Sequence, residues 1–425
     1  MIGFLLAIGF IVLIALGMPI AFAIGCVALT GMLTLPNVPA FTVTMKMFNG
    51  LNSFVMLAVP LFILAANIMN RGKISKMLID FSIALVGHIK GGLAHANILV
   101  SMIFGGVSGS STADTAGIGK ILIPQMIDSG YSKESSIAVT AVSSTIGSII
   151  PPSIPMIIYA GITNVSVAAF FMSGMFPEIL IGLGMMAVVY VLSIKYDYPC
   201  YSKATVKEIW KLFKDAAPAL LTPVIIIGGI VTGWYTPTEA AAFAAIYAFA
   251  ISFFYYKTIK LSDIKDLLHE TLKLSSLSLF SLAAASALGE LMGYYQIARF
   301  AENFFSTYIA HRWVFMLFVI ALFLFLGTFM DAVPAMILFV PVILPTALSY
   351  GIDSVTLGLV VVITVSIGLV TPPYGLCLLL ASSIGNLSIE KSFKAVFPYM
   401  AIIIAVLLMV ALIPGVAMFL PNLFS

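Results

Sequence analysis

The sequence predicts an all-α integral membrane protein built from two copies of one inverted unit. Three observations carry this. The chain of 425 residues is 61% apolar and 9% charged, with a mean hydropathy of +1.15; a soluble domain carries roughly 25% charged residues. The string Ile146-Gly-Ser-Ile-Ile-Pro-Pro-Ser153 returns as Ile367-Gly-Leu-Val-Thr-Pro-Pro-Tyr374. At the same offset of 221 residues, Gly106 falls on Gly327, Pro124 on Pro345 and Gly130 on Gly351. Each copy sets helix breakers inside an apolar stretch. Broken backbone at membrane depth is tolerated only where protein or a water-filled cavity satisfies it. Two such segments at matching places of two halves point to the binding site of a secondary transporter.

Ten spans of roughly 20 residues each are predicted at 2–16, 18–35, 53–70, 132–162 (broken), 176–195, 216–233, 237–256, 275–293, 354–384 (broken) and 396–420. The first stretch has no charged leader and no small-residue cleavage site, so it reads as a permanent span. Two further apolar stretches, 91–129 and 312–349, are interrupted by Gly105-Gly-Val-Ser-Gly-Ser-Ser111 and Gly327-Thr-Phe-Met-Asp331. Such an interruption fits a re-entrant hairpin. Stretches 74–88 and 296–310 read as amphipathic arm helices at the interface, ended by His88 and His311. An interfacial structural role for these histidines outweighs proton handling. The units are then residues 1–195, a cytoplasmic linker loop at 196–215, and residues 216–425.

With the N-terminus outside, Arg71, Lys73, Lys76, Lys90, Lys133, Lys195, every lysine from Lys203 to Lys273, Lys391 and Lys394 fall inside. Only Lys46, Arg299 and Arg312 fall outside, as the positive-inside rule demands. Both termini are therefore expected on the outer face. Five spans separate equivalent points, so the halves lie upside down relative to each other. The pI of about 8.6 reflects this topology; no basic stripe suited to nucleic acid is present. Cys26, Cys200 and Cys377 have no metal or redox spacing.

The broken segments suggest the chemistry. Pro151, Pro152, Pro372 and Pro373 have no N–H, so carbonyls among Gly147–Pro151 and Gly368–Pro372 lose their helical donors. Carbonyls and hydroxyls suit Na+, while half-helix N-termini suit an anion. Hydroxyls are dense here: Ser143, Ser144, Thr145, Ser148 and Ser153 in one half, Thr364, Ser366 and Thr371 in the other. The hairpin tips add Ser108-Gly-Ser-Ser-Thr-Ala-Asp114 and Thr328-Phe-Met-Asp331. Ser111/Asp114 and Thr328/Asp331 have capping-box spacing, which does not exclude a binding role. The constant offset pairs Asp331 with Ser110; pairing it with Asp114 needs a slip of four residues. Thr236-Pro-Thr-Glu239 reads as a helix start. Glu290 is open between a functional role and a packing hydrogen bond. The only arginines are Arg71, Arg299 and Arg312, none near a broken loop. An anion would be held by N–H groups, hydroxyls and bound cations.

These strings, with Gly50-Leu-Asn-Ser-Phe-Val-Met-Leu-Ala-Val-Pro60, Gly91-Gly-Leu-Ala-His95, Tyr235-Thr-Pro-Thr-Glu-Ala240 and Gly368-Leu-Val-Thr-Pro-Pro373, resemble the large membrane subunit of tripartite ATP-independent periplasmic (TRAP) transporters over essentially the whole chain. The resemblance implies an elevator-type fold in the bacterial inner membrane. It implies Na+-driven uptake of an organic acid such as a sugar acid, sialic acid or C4-dicarboxylate. A periplasmic binding protein and a small four-helix membrane subunit are the implied partners. The family's cation motifs map onto Ser108, Ser111, Gly147, Ile150 and Pro151, and onto Gly327, Thr328, Gly368, Val370 and Pro372, with Asp114 in support. Substrate is expected between the hairpin tips and double prolines, near Ser110, Pro152, Ser153, Asp331 and Pro373.

A stand-alone Na+/dicarboxylate symporter is the nearest alternative. A channel suits hairpins closing from opposite sides less well. No catalytic spacing and no phosphate-binding Gly-x-x-x-x-Gly-Lys-[Ser/Thr] string occurs, so the reading is a non-enzyme driven by ions, with two or more Na+ per cycle.

Overall fold

A computed structural model describes residues 2–35, 38–39, 41–71, 74–309 and 311–424; Lys73 lies outside them. Among the described residues every regular element is helical. The first half runs α1 (Ile2–Ala15), α2 (Ile20–Leu33), α3 (Phe41–Leu51), α4 (Ala58–Arg71), α5 (Ile74–Val86), α6 (Gly92–Ser108), α7 (Ser111–Asp128), α8 (Lys133–Thr145), α9 (Ile154–Thr163) and α10 (Val167–Lys195). The second runs α11 (Val206–Val231), α12 (Pro237–Ala250), α13 (Ile264–Tyr294), α14 (Ile297–Tyr308), α15 (Arg312–Gly327), α16 (Ala332–Ser349), α17 (Ser354–Gly368), α18 (Leu376–Gly385) and α19 (Ile389–Leu412).

The repeat is visible in these bounds. Helices α7 and α16 end at Asp128 and Ser349, and α8 and α17 begin at Lys133 and Ser354, each pair 221 apart. Pro151–Pro152 and Pro372–Pro373 are both cis. Helices α6 and α7 form one helical hairpin, and α15 and α16 another. The double prolines part α8 from α9 and α17 from α18, because a residue without an N–H cannot continue the ladder.

Among the described residues, seven helical segments are long and apolar enough to cross a membrane: Phe54–Arg71, Val167–Lys195, Val206–Val231, Pro237–Tyr255, Leu261–Tyr294, Ala332–Ser349 and Ile389–Leu412. The sequence expects ten spans. Two of the ten are the broken pairs, whose halves are short by construction. Two more, α1 and α2, have 14 residues each, about 21 Å at 1.5 Å per residue, against a hydrocarbon core of about 30 Å. Ala332–Ser349 is long enough to cross but belongs to the second hairpin. Helix α3 was not anticipated. Its Lys46 Nζ lies 2.8 Å from Glu290 Oε2 on α13, which gives Glu290 a partner.

The linker also differs from expectation. Residues 206–215 are not loop but the first turns of α11. Thr205 and Glu208 form a capping box there, the Thr205 N–H and hydroxyl both donating to the Glu208 carboxylate. The Thr236/Glu239 helix start forms as expected.

Packing sorts the helices into two groups. Helix α13 lies on α2, α3 and α4, and α4 lies on α12. In the other group α8 packs on α6, α7, α18 and α19, and α17 packs on α15, α16 and α19. The halves therefore interlock, since α18 seats against α7 and α8. The amphipathic arms join the groups: α5 touches both α11 and α6, and α14 touches both α13 and α16. His88 and His311 sit exposed beyond the arms, His311 stacked on Trp313 at 5.9 Å between ring centres.

Candidate functional site

The first hairpin turns through Gly109, whose φ of +59° is a left-handed conformation that costs a glycine nothing. That turn aims the tip at the first broken loop. The Gly109 carbonyl accepts from Ile154 N–H at 3.3 Å. In the second half the Thr328 carbonyl accepts from Tyr374 N–H at 3.1 Å. Each tip is thus tied to the backbone just beyond its own double proline.

Around the first loop, Ser108 donates its hydroxyl to Asp114, and Ser111 Oγ donates to the Thr145 carbonyl at 3.3 Å. The second Asp114 oxygen is buried without a partner. A Cβ on Gly147 would overlap it, and a Cβ on Gly105 would lie 2.6 Å from Ile150 Cγ2 and 2.7 Å from Gly147 Cα. The Pro151 carbonyl faces Gly106. Ser108, Ser111, Gly147, Ile150, Pro151 and Asp114 are therefore one cluster. In the second half Gly327 and Gly368 meet backbone to backbone. Val370 is buried beside them in sequence. Thr328 Oγ1 turns back to the Phe325 carbonyl at 2.7 Å, and Pro372 is half-buried. The second cluster is glycine contact rather than hydroxyl cage.

A cavity of about 420 Å³ lies where these parts converge. Its walls are the first tip (Ser108 to Ala113), the second tip (Asp331 to Val333), Ser148, Ile154, Pro155, Leu369 and Leu376 from the broken segments, and Asn67, Leu274 and Ser278 from α4 and α13. The first residues of α7, α9, α16 and α18 all line it. Among the described residues no Lys, Arg or His does. Helix N-termini carry about half a positive charge each and free N–H groups, so the cavity suits an anion without any cationic side chain. The two broken segments also touch directly, Ser148 Oγ lying 2.6 Å from Ser366 Oγ.

Of the expected substrate residues, Ser110 and Asp331 line this cavity, and Pro152, Ser153 and Pro373 do not. Ser153 is wholly buried, donating to the Ser148 carbonyl at 2.5 Å and accepting from Met156 N–H at 3.3 Å as the cap of α9. Ser153→Ala should therefore destabilise the protein by about 1–2 kcal/mol, read as a lower melting temperature of the detergent-purified protein.

The capping-box spacing at the tips does not produce capping boxes. Ser110, not Ser111, caps α7, accepting from Ala113 N–H at 3.5 Å; Asp114 faces Ser108 instead. Asp331 is itself the N-cap residue of α16, without a side-chain cap bond, and Thr328 ends α15. Ser110 and Asp331 thus hold equivalent cap positions, 221 apart, and the constant offset is the correct pairing. The contact to the broken loop slips by one: Gly105 rather than Gly106 meets Gly147.

The model of the tripartite ATP-independent periplasmic transporter DctM component matches residues 7–416. The chain belongs to the DctM family. This DctM-family chain is 35% identical to the sialic acid TRAP transporter large permease protein SiaM of Vibrio cholerae, with 98% of this chain and 97% of that one covered. It is 34% identical to the C4-dicarboxylate TRAP transporter large permease protein DctM of Rhodobacter capsulatus, with 98% of each covered. A structural neighbour is the YdaH transporter of Alcanivorax borkumensis, at a TM-score of 0.62 and 13% identity, with 90% of each chain covered; that likeness concerns the fold alone. Family and helices together make this a multi-pass inner-membrane protein of a transporter family, not an enzyme family.

One residue went unread in the DctM-family sequence. Glu178 on α10 is 1% exposed, and among the described residues its two oxygens have no hydrogen-bond partner. Its signal was present: an acid inside the apolar stretch predicted at 176–195.

Proposed function

We propose that this chain is the large permease subunit that carries an organic acid inward with two or more Na+, receiving it from a periplasmic binding protein. One observation carries the reading. Both hairpin tips, both broken segments and four helix N-termini meet at one cavity that, among the described residues, no basic side chain lines. Such a cavity suits a carboxylate, and the oxygen-rich loops beside it suit Na+. The cations would be cargo at the Ser108–Ser111–Gly147 cluster and at Gly327–Gly368, with Ile150, Pro151, Thr328, Val370 and Pro372 supplying the remaining oxygens.

The arms favour an elevator. Each bridges the two packing groups, so the group holding the cavity can slide against α2–α4 and α11–α13 while remaining tethered. A small four-helix membrane subunit would brace the latter group, and both termini would lie in the periplasm. Each Na+ entering gains about 2.3 kcal/mol per 100 mV. Two with one monoanion move net positive charge inward, so the membrane potential drives uptake.

The test is reconstitution of this chain with its small subunit in liposomes. Uptake of a labelled acid should require both an inward Na+ gradient and the binding protein. Na+-driven uptake without the binding protein would instead make it a conventional symporter.

A further inference from the structure

We infer that a cavity at the base of the second hairpin is the docking seat for a tyrosine of the periplasmic binding protein. The inference rests on the transport reading above and assigns a contact by which that protein engages this chain. The cavity holds about 120 Å³, and its walls include Arg312, Trp313, Ile352, Asp353, Thr356 and Met418. The internal repeat says what belongs there. At the offset of 221, Ile352, Asp353 and Thr356 correspond to Tyr131, Ser132 and Ser135 of the first half. Those three residues seat Tyr198. The Tyr131 and Tyr198 rings stack at 4.4 Å, and the Tyr198 hydroxyl lies 3.2 Å from Ser132 Oγ and donates to Ser135 Oγ at 2.8 Å. Tyr198 is thereby only 9% exposed. Its counterpart is Phe419, which packs instead on Phe176 of α10, ring centres 5.3 Å apart, and stays 53% exposed. The base of the first hairpin is therefore closed by the chain's own linker, while the base of the second keeps a seat of aromatic size. A cavity of roughly 150 Å³ is enough for a benzene ring.

The chemistry of the seat selects its occupant. Ile352 and Met418 give a ring an apolar flank. Asp353 caps α17, one oxygen accepting from the Val355 and Thr356 N–H groups at 3.0 Å each. Among the described residues its other oxygen accepts no hydrogen bond. A buried phenol needs a partner for its hydroxyl, and a carboxylate accepts from it. Tyrosine therefore suits the seat better than phenylalanine, as it does in the first half. At the rim Arg312 is exposed and, among the described residues, makes no ion pair; Trp313 beside it is 51% exposed. An acidic group next to the partner's tyrosine would pair with Arg312. Tyr, Trp and Arg are the residues that dominate interface energies. The charge pattern of the sequence puts Arg312 on the outer face, where a soluble periplasmic partner arrives. Helices α15, α17 and α19 belong to the packing group that holds the substrate cavity, so docking here holds the part that an elevator moves.

The test is uptake by the reconstituted complex of this chain with its small subunit, titrated with the binding protein. Arg312→Glu, and separately Ala411→Phe, which fills the seat from its own wall, should each raise the binding-protein concentration for half-maximal uptake at least about tenfold and leave the maximal rate nearly unchanged. Melting temperatures check that both variants fold. Arg299→Glu, an exposed position on α14 that is also expected outside, should shift that concentration less than about twofold. A photo-crosslinking side chain at position 313 should capture the binding protein, and alanine in place of the captured tyrosine should reproduce the tenfold shift. A half-maximal concentration unchanged in Arg312→Glu, or in folded Ala411→Phe, overturns the seat, while uptake that still needs the binding protein upholds the transport reading. Equal shifts in Arg299→Glu and Arg312→Glu reduce the effect to overall charge and overturn the seat as well. Wild-type uptake without any binding protein overturns both.

Discussion

Gly368→Ala is expected to abolish Na+-driven uptake while the protein still inserts and can be purified. The new Cβ would lie 2.5 Å from both the carbonyl carbon and Cα of Gly327 and 2.8 Å from its oxygen. These are backbone atoms, which cannot turn aside as a flexible side chain would. Overpacking of this kind typically costs about 1–3 kcal/mol, and the rigid neighbour places it at the upper end. The distortion falls on the contact that seats the second hairpin on its broken helix, one residue before Leu369 of the cavity wall. A perturbation of about 3 kcal/mol lowers a rate or affinity by about a hundredfold. The matched control is Gly228→Ala on α11, where the added Cβ meets nothing within 4 Å; that helical position should gain slightly in stability and keep uptake. Wild-type uptake in Gly368→Ala proteoliposomes would show that the Gly327–Gly368 contact is not needed for transport.

What could be read from the sequence was either local or repeated. The double prolines break the helix wherever they stand, and a copy 221 residues on makes their placement unmistakable. Thr236-Pro-Thr-Glu239 is a helix start within four residues, and it formed. The tips were harder because three hydroxyls compete there. Ser110, Ser111 and Thr112 could each begin α7, and the choice is made by Gly109, whose turn brings Ser110 to the cap. Asp114 is then drawn to Ser108 and lies against Gly147, 33 positions along the chain, a contact no local pattern encodes. Ser153 has the composition of a substrate ligand, but the carbonyl left without a donor by Pro152 belongs to Ser148, and Ser153 supplies the replacement. Glu178 was overlooked because a single acid hardly changes the hydropathy of a 29-residue helix. The linker misled because its lysines look like loop, although an exposed polar face is also what the first turns of a capped helix present.

Asp114→Asn should raise the Na+ concentration for half-maximal uptake at least about tenfold, with a smaller effect on the maximal rate. Asp114 is wholly buried; one oxygen accepts from Ser108, and the other faces Gly147 unpartnered. An acceptor left unpaired at that depth is costly unless something uses it, and a cation at the first loop would. A carboxylate about 5 Å from a cation contributes about 3 kcal/mol at an effective dielectric of about 20, so even a partly screened interaction exceeds tenfold. Asparagine keeps the shape and can still accept from Ser108, which separates charge from packing. Ser108→Ala is the companion: it removes a hydroxyl from the cluster and leaves the carboxylate, so its shift in Na+ requirement should be smaller. If Asp114→Asn lowers the melting temperature equally with and without Na+ and leaves the half-maximal concentration unchanged, Asp114 only braces the hairpin. If the stabilisation that Na+ gives the wild type is lost selectively, the carboxylate belongs to the electrostatics of the first cation site, and the hydroxyl–glycine cluster around it is where one of the driving ions binds.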